Sequence, residues 1–212
     1  MLLEMAAGGF GDRVAVGSLD DGLTVKQIFD HSGKAAKRFR DANVENVAMI
    51  DITSPALPIC LFGASWAGLP FVPLNYRLAD QELDVLLERI SPSIALMQPE
   101  TQKRISDVSN IKTVNRDDLL ASPDSEEMPT DWSMDGEDTA ILLFTSGTTG
   151  EPKAAVLRQR HLVSYILGSV EFMSASEEEA ALISVPPYHI AGIAATLSNL
   201  YAGRRVVQLP EF

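Results

Sequence analysis

Cysteine and positive charge are both scarce in this sequence. Cys60 is the single cysteine in 212 residues, so an internal disulfide is excluded and a reducing compartment is compatible. Its setting, Pro58-Ile59-Cys60-Leu61-Phe62, predicts a small buried side chain rather than a nucleophile. Lysine and arginine number 17 against 29 acidic residues, a formal net charge of −12. General nucleic-acid binding is therefore not expected, whereas a small nucleotide is compatible because distant charges are screened within about 10 Å.

Long uninterrupted hydrophobic runs are also missing. Two uncharged stretches, 55–74 and 180–203, approach the length of about 20 residues that a membrane-spanning helix needs. The first contains four prolines and the second a Pro-Pro pair, so buried helix-and-strand units are the better interpretation. The N-terminus, Met1-Leu2-Leu3-Glu4, lacks the basic region of a secretory signal. We expect no transmembrane segment and a cytoplasmic location.

Apolar runs of strand length alternate with helical patterns in the first half of the chain. Thr24 and Gln27 have capping-box spacing, and the apolar residues after them share one helical face to about Ala42. Further strands are predicted at 13–18, 47–52, 68–75 and 93–97, and further helices at 56–67 and around Leu83, Leu86 and Leu87. This alternation is typical of an α/β fold with a mostly parallel sheet or sheets flanked by helices.

Two residues in this region could be functional or structural. Asp51 ends a predicted strand, and we expect its side chain to face solvent. Trp66 could line a pocket, but an aromatic residue beside small residues more often belongs to the core.

Residues 122–138 are rich in proline, serine and acidic residues, which predicts a linker or long surface loop. The carboxylates are loosely spaced and lack histidines, so a solvated charge run is favoured over a metal site. This segment divides the chain into a first α/β part at 1–121 and a second part at 139–212, which begins with a hairpin.

The richest motif runs from Leu142 to Lys153 and reads LLFTSGTTGEPK. An apolar strand ends in hydroxyls and glycines, and residues 154–157 are predicted to return as its hairpin partner. Gly147 and Gly150 permit positive φ, which lets backbone N–H groups converge on an anion. Lys153 supplies a mobile positive charge, and hydroxyl donors come from Thr145, Ser146, Thr148 and Thr149. The pattern predicts a phosphate-binding loop.

The spacing differs from that of a P-loop NTPase, because Glu151 and Pro152 separate the last glycine from Lys153. Over nine consecutive positions the stretch instead resembles the signature T-S-G-T-T-G-x-P-K-G of the ANL adenylating enzymes. These include acyl-CoA synthetases, peptide-synthetase adenylation domains and luciferases. Ala154 stands where that signature ends in glycine. The alternative for such a composition is an ordinary solvated loop.

A second motif, from Pro186 to Gly192, reads PPYHIAG. Alone, its histidine would more often be a core residue. With the phosphate loop upstream, it resembles the family's P-x-x-H-x-x-G signature, in which the histidine lies between the nucleotide phosphates and the acyl pocket. Gly192, Ala194 and Ala195 are small enough to leave room for an acyl chain.

The resemblance implies the N-terminal portion of the ANL large domain, within an enzyme that continues beyond this chain. In the intact enzyme a carboxylate would attack the α-phosphorus of ATP, and the acyl group would then pass to coenzyme A. The implied catalytic residues are Lys153 and His189, and the implied phosphate ligands are Thr145, Ser146, Gly147, Thr148, Thr149, Gly150 and Lys153. ATP, Mg²⁺ and coenzyme A are the implied cofactors. The magnesium ligands stay open, with Thr145 and Thr148 as candidates.

A fatty or aryl acid is the expected substrate, and the chain alone is expected to be inactive. A peptide-synthetase-type amino-acid adenylation domain and a non-catalytic nucleotide-binding module stay open as alternatives. An amino-acid substrate usually needs a buried acid for its ammonium group, and no aspartate or glutamate occurs between Pro186 and Gly203. This favours a fatty or aryl acid. The oligomeric state is open.

Overall fold

A computed structural model describes residues 2–105, 109–121, 127–145 and 152–210 of the chain. The strands form two sheets and are β1 (Val14–Val16), β2 (Leu23–Thr24), β3 (Asn46–Ile50), β4 (Phe71–Pro73), β5 (Ser93–Met97), β6 (Ile111–Val114), β7 (Thr139–Thr145), β8 (Lys153–Arg158), β9 (Ala180–Ile183) and β10 (Arg205–Gln208). The helices are α1 (Leu2–Phe10), α2 (Val25–Asp41), α3 (Ala56–Ala67), α4 (Asp80–Arg89), α5 (Pro99–Gln102), α6 (Arg116–Leu120), α7 (Gln159–Ser169) and α8 (Ile190–Ala202). The predicted α/β class is confirmed.

The larger sheet has the order β6-β5-β3-β4-β7-β8 and is parallel except for the antiparallel pair β7–β8. Its central strands β3, β4 and β5 are apolar after the initial Asn46 and Ser93, because both faces are covered. On β3, Val47 and Met49 join the larger hydrophobic core, whereas Ala48 and Ile50 pack against α4 on the opposite face. The leucines predicted to line the inner face of a helix do so on α4.

The smaller sheet has the order β2-β1-β10-β9, and it pairs the two ends of the described chain in parallel, with Val16 opposite Val206. Strands from both sides of residues 122–138 share each sheet. The division of the chain into parts at 1–121 and 139–212 stays a prediction.

Local signals explain why the helices begin and pack where they do. The capping box predicted at α2 is present, with the Thr24 side chain accepting from the Gln27 backbone N–H at 3.2 Å and Gln27 accepting from the Thr24 backbone N–H at 2.8 Å. Gly63 lets α3 approach α2 closely, because a Cβ there would lie 2.8 Å from that of Ala35. Within the described ranges, no helix combines the length and apolar character needed to cross a bilayer.

The expectation that Asp51 faces solvent is wrong. Its side chain is buried, and both carboxylate oxygens accept hydrogen bonds from Arg116 at 2.9 Å, while Oδ1 also accepts from the Ile52 N–H at 2.8 Å. The reason is tertiary: α6 follows β6, and its first residue carries a guanidinium to the end of β3. A partner 65 residues away leaves no local signal in the sequence.

Cys60 is fully buried in α3, as its apolar neighbours predict. Burial, and to a smaller extent the nearby Asp51 carboxylate, raises the pKa of the Cys60 thiol far above its usual range. Burial confirms the predicted small core side chain, and a neutral thiol is a poor nucleophile.

Candidate active site

The motif from Leu142 to Lys153 lies on the hairpin of β7 and β8, as predicted. The register continues to the last pair, Thr145 opposite Lys153, so the two residues that flank the loop are cross-strand neighbours. The Thr145 hydroxyl donates to the Lys153 carbonyl at 3.5 Å, and both residues are exposed. The predicted phosphate ligands Ser146, Gly147, Thr148, Thr149 and Gly150 lie outside the described residues.

Arg89, the last residue of α4, holds the two strands next to the loop. Its Nη1 donates to the Pro152 carbonyl, and its guanidinium lies 5.4 Å from the centre of the Phe144 ring. The Arg89 guanidinium thus contacts Phe144, in the strand before the loop, and Pro152, just before β8. Sequence reasoning missed this residue, although a basic side chain in the last turn of a helix is a recognisable signal.

A second segment reaches the same edge of the sheet. Because β4 and β7 are parallel neighbours, with Phe71 opposite Ile141, their carboxyl ends point the same way. Arg104 fixes the chain after β4. Its guanidinium donates to the Tyr76 and Leu78 carbonyls at 2.8 and 2.6 Å and to the Asp80 carboxylate at 2.9 Å.

His189 caps the start of α8 and is exposed. Its carbonyl accepts the backbone N–H of Gly192 at 3.0 Å. A side chain at Gly192 would meet the Pro186 and Val185 carbonyls at 3.0 and 3.1 Å. The glycine of the P-x-x-H-x-x-G pattern therefore serves a close approach between the helix and the loop before it.

A row of rings connects His189 with the edge of the larger sheet. The Tyr188 ring lies 4.7 Å from the His189 ring and meets the Tyr76 ring edge-on at 5.7 Å. Tyr76 and Phe144, the neighbour of Thr145, both pack against the hydrophobic cluster on the α4 side of the larger sheet. This connection was missed from the sequence, since it joins residues 112 positions apart across the two sheets.

The structure thus brings Thr145 and Lys153 together directly, and it connects His189 to the same region through Tyr188 and Tyr76. Gly192 is buried and serves packing, while Ala194 and Ala195 are half-buried. The catalytic roles of Lys153 and His189 stay predictions.

Carboxylates for a metal ion are not clustered in the part of the chain that the structure describes. No group of three histidines, cysteines, aspartates or glutamates there could hold one. Protein-bound magnesium usually takes one or two carboxylates and the phosphates of its nucleotide. A magnesium ion held mainly by nucleotide phosphates does not require such a group, so its protein ligands stay a prediction.

Comparisons with known proteins agree with this arrangement. The family profile of the AMP-binding enzymes matches residues 3–212. The chain is 29% identical over 199 residues to the indoleacetate–CoA ligase of Aromatoleum aromaticum, a match that covers 87% of this chain and 39% of that enzyme. It is 28% identical over 156 residues to the D-alanine–D-alanyl carrier protein ligase of Staphylococcus haemolyticus, covering 73% of this chain and 30% of that protein.

A solved structure shows the same fold at lower identity. Apo MatB from Rhodopseudomonas palustris superposes with a TM-score of 0.83 at 23% identity, covering all of this chain and 45% of that one. The chain thus spans less than half the length of each of these relatives. Because the family profile extends over almost the whole sequence, the chain belongs to the AMP-binding enzymes of the ANL superfamily.

Proposed function

We propose that this chain provides the phosphate loop of an ATP-dependent ligase and, in His189, the histidine that lies next to the acid substrate. The ligase activates a carboxylic acid as its acyl-adenylate and transfers the acyl group to coenzyme A. The observation that carries the proposal is the hairpin of β7 and β8. It places the first and last residues of the nine-position signature, Thr145 and Lys153, opposite each other at the carboxyl edge of a mostly parallel sheet.

In this reaction a carboxylate oxygen attacks the α-phosphorus of ATP, and the bond to the bridging oxygen of the β-phosphate breaks. Pyrophosphate leaves with the electron pair, so negative charge grows on the leaving group. The Lys153 ammonium and the N–H and hydroxyl donors of the loop would stabilise that charge, which is the main way a protein accelerates phosphate chemistry. Magnesium bound to the ATP phosphates would supply further neutralisation.

His189 would border the carboxylate of the acid substrate. Its ring is exposed at the start of α8, where an incoming anion also meets the positive end of the helix dipole. In the second step the thiolate of coenzyme A attacks the acyl carbon, and AMP leaves with the electrons of the acyl–phosphate bond.

Two observations support transfer to coenzyme A. One relative is an indoleacetate–CoA ligase, and no aspartate or glutamate occurs between Pro186 and Gly203 of this chain. The alternative is adenylation of an amino acid for transfer to a carrier protein. It is kept because another relative is a D-alanine–D-alanyl carrier protein ligase.

Nucleotide binding tests the role of the loop on the chain itself. Titration calorimetry should detect weak, magnesium-dependent ATP binding to the 212-residue chain. Lys153→Ala should weaken it about tenfold, since it removes one charge-assisted contact. Lys103→Ala is the matched control, because Lys103 is an exposed lysine at the end of α5. Equal ATP affinity in wild type and Lys153→Ala would rule out the assignment of Lys153. The chain alone should form no acyl-CoA.

A further inference from the structure

The start of β8 has few neighbours in the larger sheet. Among the described strands, β8 pairs with β7 alone and forms an edge of the sheet. Its first residue, Lys153, is exposed, and Ala155 and Val156 are exposed as well. The end of an edge strand opens more easily than a central strand, because few buried contacts oppose the opening. The position of Lys153 therefore depends on contacts beyond the pairing of β7 with β8.

The two strands of the hairpin are anchored unequally next to the loop. Phe144, on β7, packs against the hydrophobic cluster on the α4 side of the larger sheet. On the β8 side, the Thr145 hydroxyl reaches the Lys153 carbonyl only at 3.5 Å, which is long for a hydrogen bond between oxygen atoms. Pro152, which precedes Lys153, has no backbone N–H and can be held through its carbonyl alone among its backbone groups.

Arg89 supplies a contact at that carbonyl. Its Nη1 donates to the Pro152 carbonyl, while its guanidinium lies 5.4 Å from the centre of the Phe144 ring. A planar guanidinium can lie over a ring and donate hydrogen bonds from its edge at the same time. Arg89 therefore links the anchored strand β7 with the residue directly before Lys153.

We infer that Arg89 is a positioning residue that acts through Lys153. It holds Pro152 and thereby fixes the start of β8, from which the Lys153 ammonium reaches the phosphates of ATP. This inference rests on the proposed function, because it requires Lys153 to bind those phosphates. A displaced ammonium would stabilise the phosphate charge less, so loss of Arg89 should weaken ATP binding without removing a ligand of the nucleotide.

Hydrogen exchange tests the positioning without any nucleotide. Arg89 is exposed and methionine keeps a long apolar stem, so Arg89→Met should fold like wild type. In the 212-residue chain, the backbone amides around the Thr145–Lys153 pair should exchange with solvent about fivefold faster in this variant. The amides around the Ile141–Leu157 pair, farther from the loop in the same hairpin, should exchange at the wild-type rate.

Titration with magnesium-ATP, followed by proton–nitrogen NMR of the same chain, tests the link to Lys153. Arg89→Met should weaken ATP binding about fivefold in wild type but less than about twofold in Lys153→Ala, where no ammonium is left to position. Arg89→Lys keeps the charge and loses the planar fork, so its affinity should lie within about twofold of that of Arg89→Met.

Arg38→Met is the matched control for both measurements. Arg38 lies on α2, and its Nη1 donates to a backbone carbonyl, that of Asp118, at 3.5 Å. This variant removes a guanidinium that contacts neither strand of the hairpin through any described hydrogen bond. Hydrogen exchange next to the loop and the affinity for ATP should both stay at their wild-type values.

The inference is overturned if Arg89→Met exchanges or binds ATP like wild type, or if it weakens binding by the same factor with and without Lys153. Wild-type affinity in Arg89→Lys would also overturn it, because the charge of Arg89 would then act on ATP directly. These outcomes leave the proposed function intact. No ATP binding by the wild-type chain would instead contradict the proposed role of the loop, and this inference would fail with it.

Discussion

For single residues in this chain, the neighbouring sequence predicts burial correctly in some cases and wrongly in others. Cys60 stands among apolar residues and is buried, as predicted. Asp51 follows an apolar strand, as solvent-facing acids often do, yet it is buried against Arg116. The difference is that burial of Cys60 depends on its own helix, whereas burial of Asp51 depends on a cation that a later helix supplies.

The Asp51–Arg116 pair allows a direct test of that dependence. Arg116→Ala leaves a buried carboxylate without its cation, and we expect the free energy of unfolding to fall by about 3 kcal/mol. Lys37→Ala breaks the exposed Lys37–Asp41 pair of 2.7 Å and should cost less than about 0.5 kcal/mol. Urea unfolding followed by circular dichroism measures both. Similar losses in the two variants would contradict a structural role for the buried pair.

Some secondary-structure elements were predicted from the sequence and others were not. The hairpin of β7 and β8 and the helices α2 and α3 were predicted closely, because their signals are local: a strand–loop–strand pattern, a capping box and a run of small apolar residues. The strands β2 and β6 and the helices α1, α5 and α6 were missed. The strands β2 and β6 have two and four residues, and the helices α5 and α6 have four and five residues. These lengths are too short for a periodic hydrophobic pattern.

Ring contacts between elements lead to a prediction for His189. Tyr76→Leu removes the ring that meets Tyr188, so the His189 imidazole resonances should shift and stability should fall by about 1 kcal/mol. Tyr76→Phe keeps the ring and should leave the resonances near their wild-type positions. Proton–nitrogen NMR measures this, with His189→Gln for assignment and Tyr165→Leu, an exposed tyrosine on α7, as control. Equal spectra for Tyr76→Leu and wild type would show that the Tyr76 ring does not position Tyr188 and His189.

The segment that carries Trp132 should respond to acid. A hydrogen bond and the charge of Arg40 hold the pKa of Asp131 below its usual value. A carboxyl with a lowered folded-state pKa stabilises its contact above the unfolded value of about 3.9, and that contribution is lost as the pH falls through the folded pKa. We therefore expect Trp132 emission to stay constant between about pH 5 and 8 and to shift to the red in stronger acid.

A fluorescence titration in a Trp66→Phe background isolates Trp132 for this measurement. Arg40→Met should show the red-shifted emission already at neutral pH and lose the acid transition. Arg204→Met, which removes the cation beside Glu179, should leave the Trp132 transition unchanged. An unaltered titration in Arg40→Met would show that the Arg40–Asp131 contact does not hold the segment.

At the scale of the whole molecule, the sequence did not reveal which distant segments of the chain pair or contact each other. The smaller sheet joins β1 with β10, and the ring contact of Tyr76 with Tyr188 joins parts of the chain on different sheets. The candidate site was predicted by its motifs, because each motif is contiguous. The neighbours that support it, Arg89 and Tyr76, come from other elements and became visible only in the fold.

Measuring pyrophosphate release tests the proposed adenylation of a carboxylic acid most directly. A polypeptide of the relatives' full length that contains this chain is incubated with ATP and magnesium, with fatty, aryl or amino acids, and with or without coenzyme A. We expect release to depend on a fatty or aryl acid, coenzyme A to be consumed, and Lys153→Ala to slow release about a hundredfold. No release with any acid, or an unchanged rate in Lys153→Ala, would contradict the proposed adenylation.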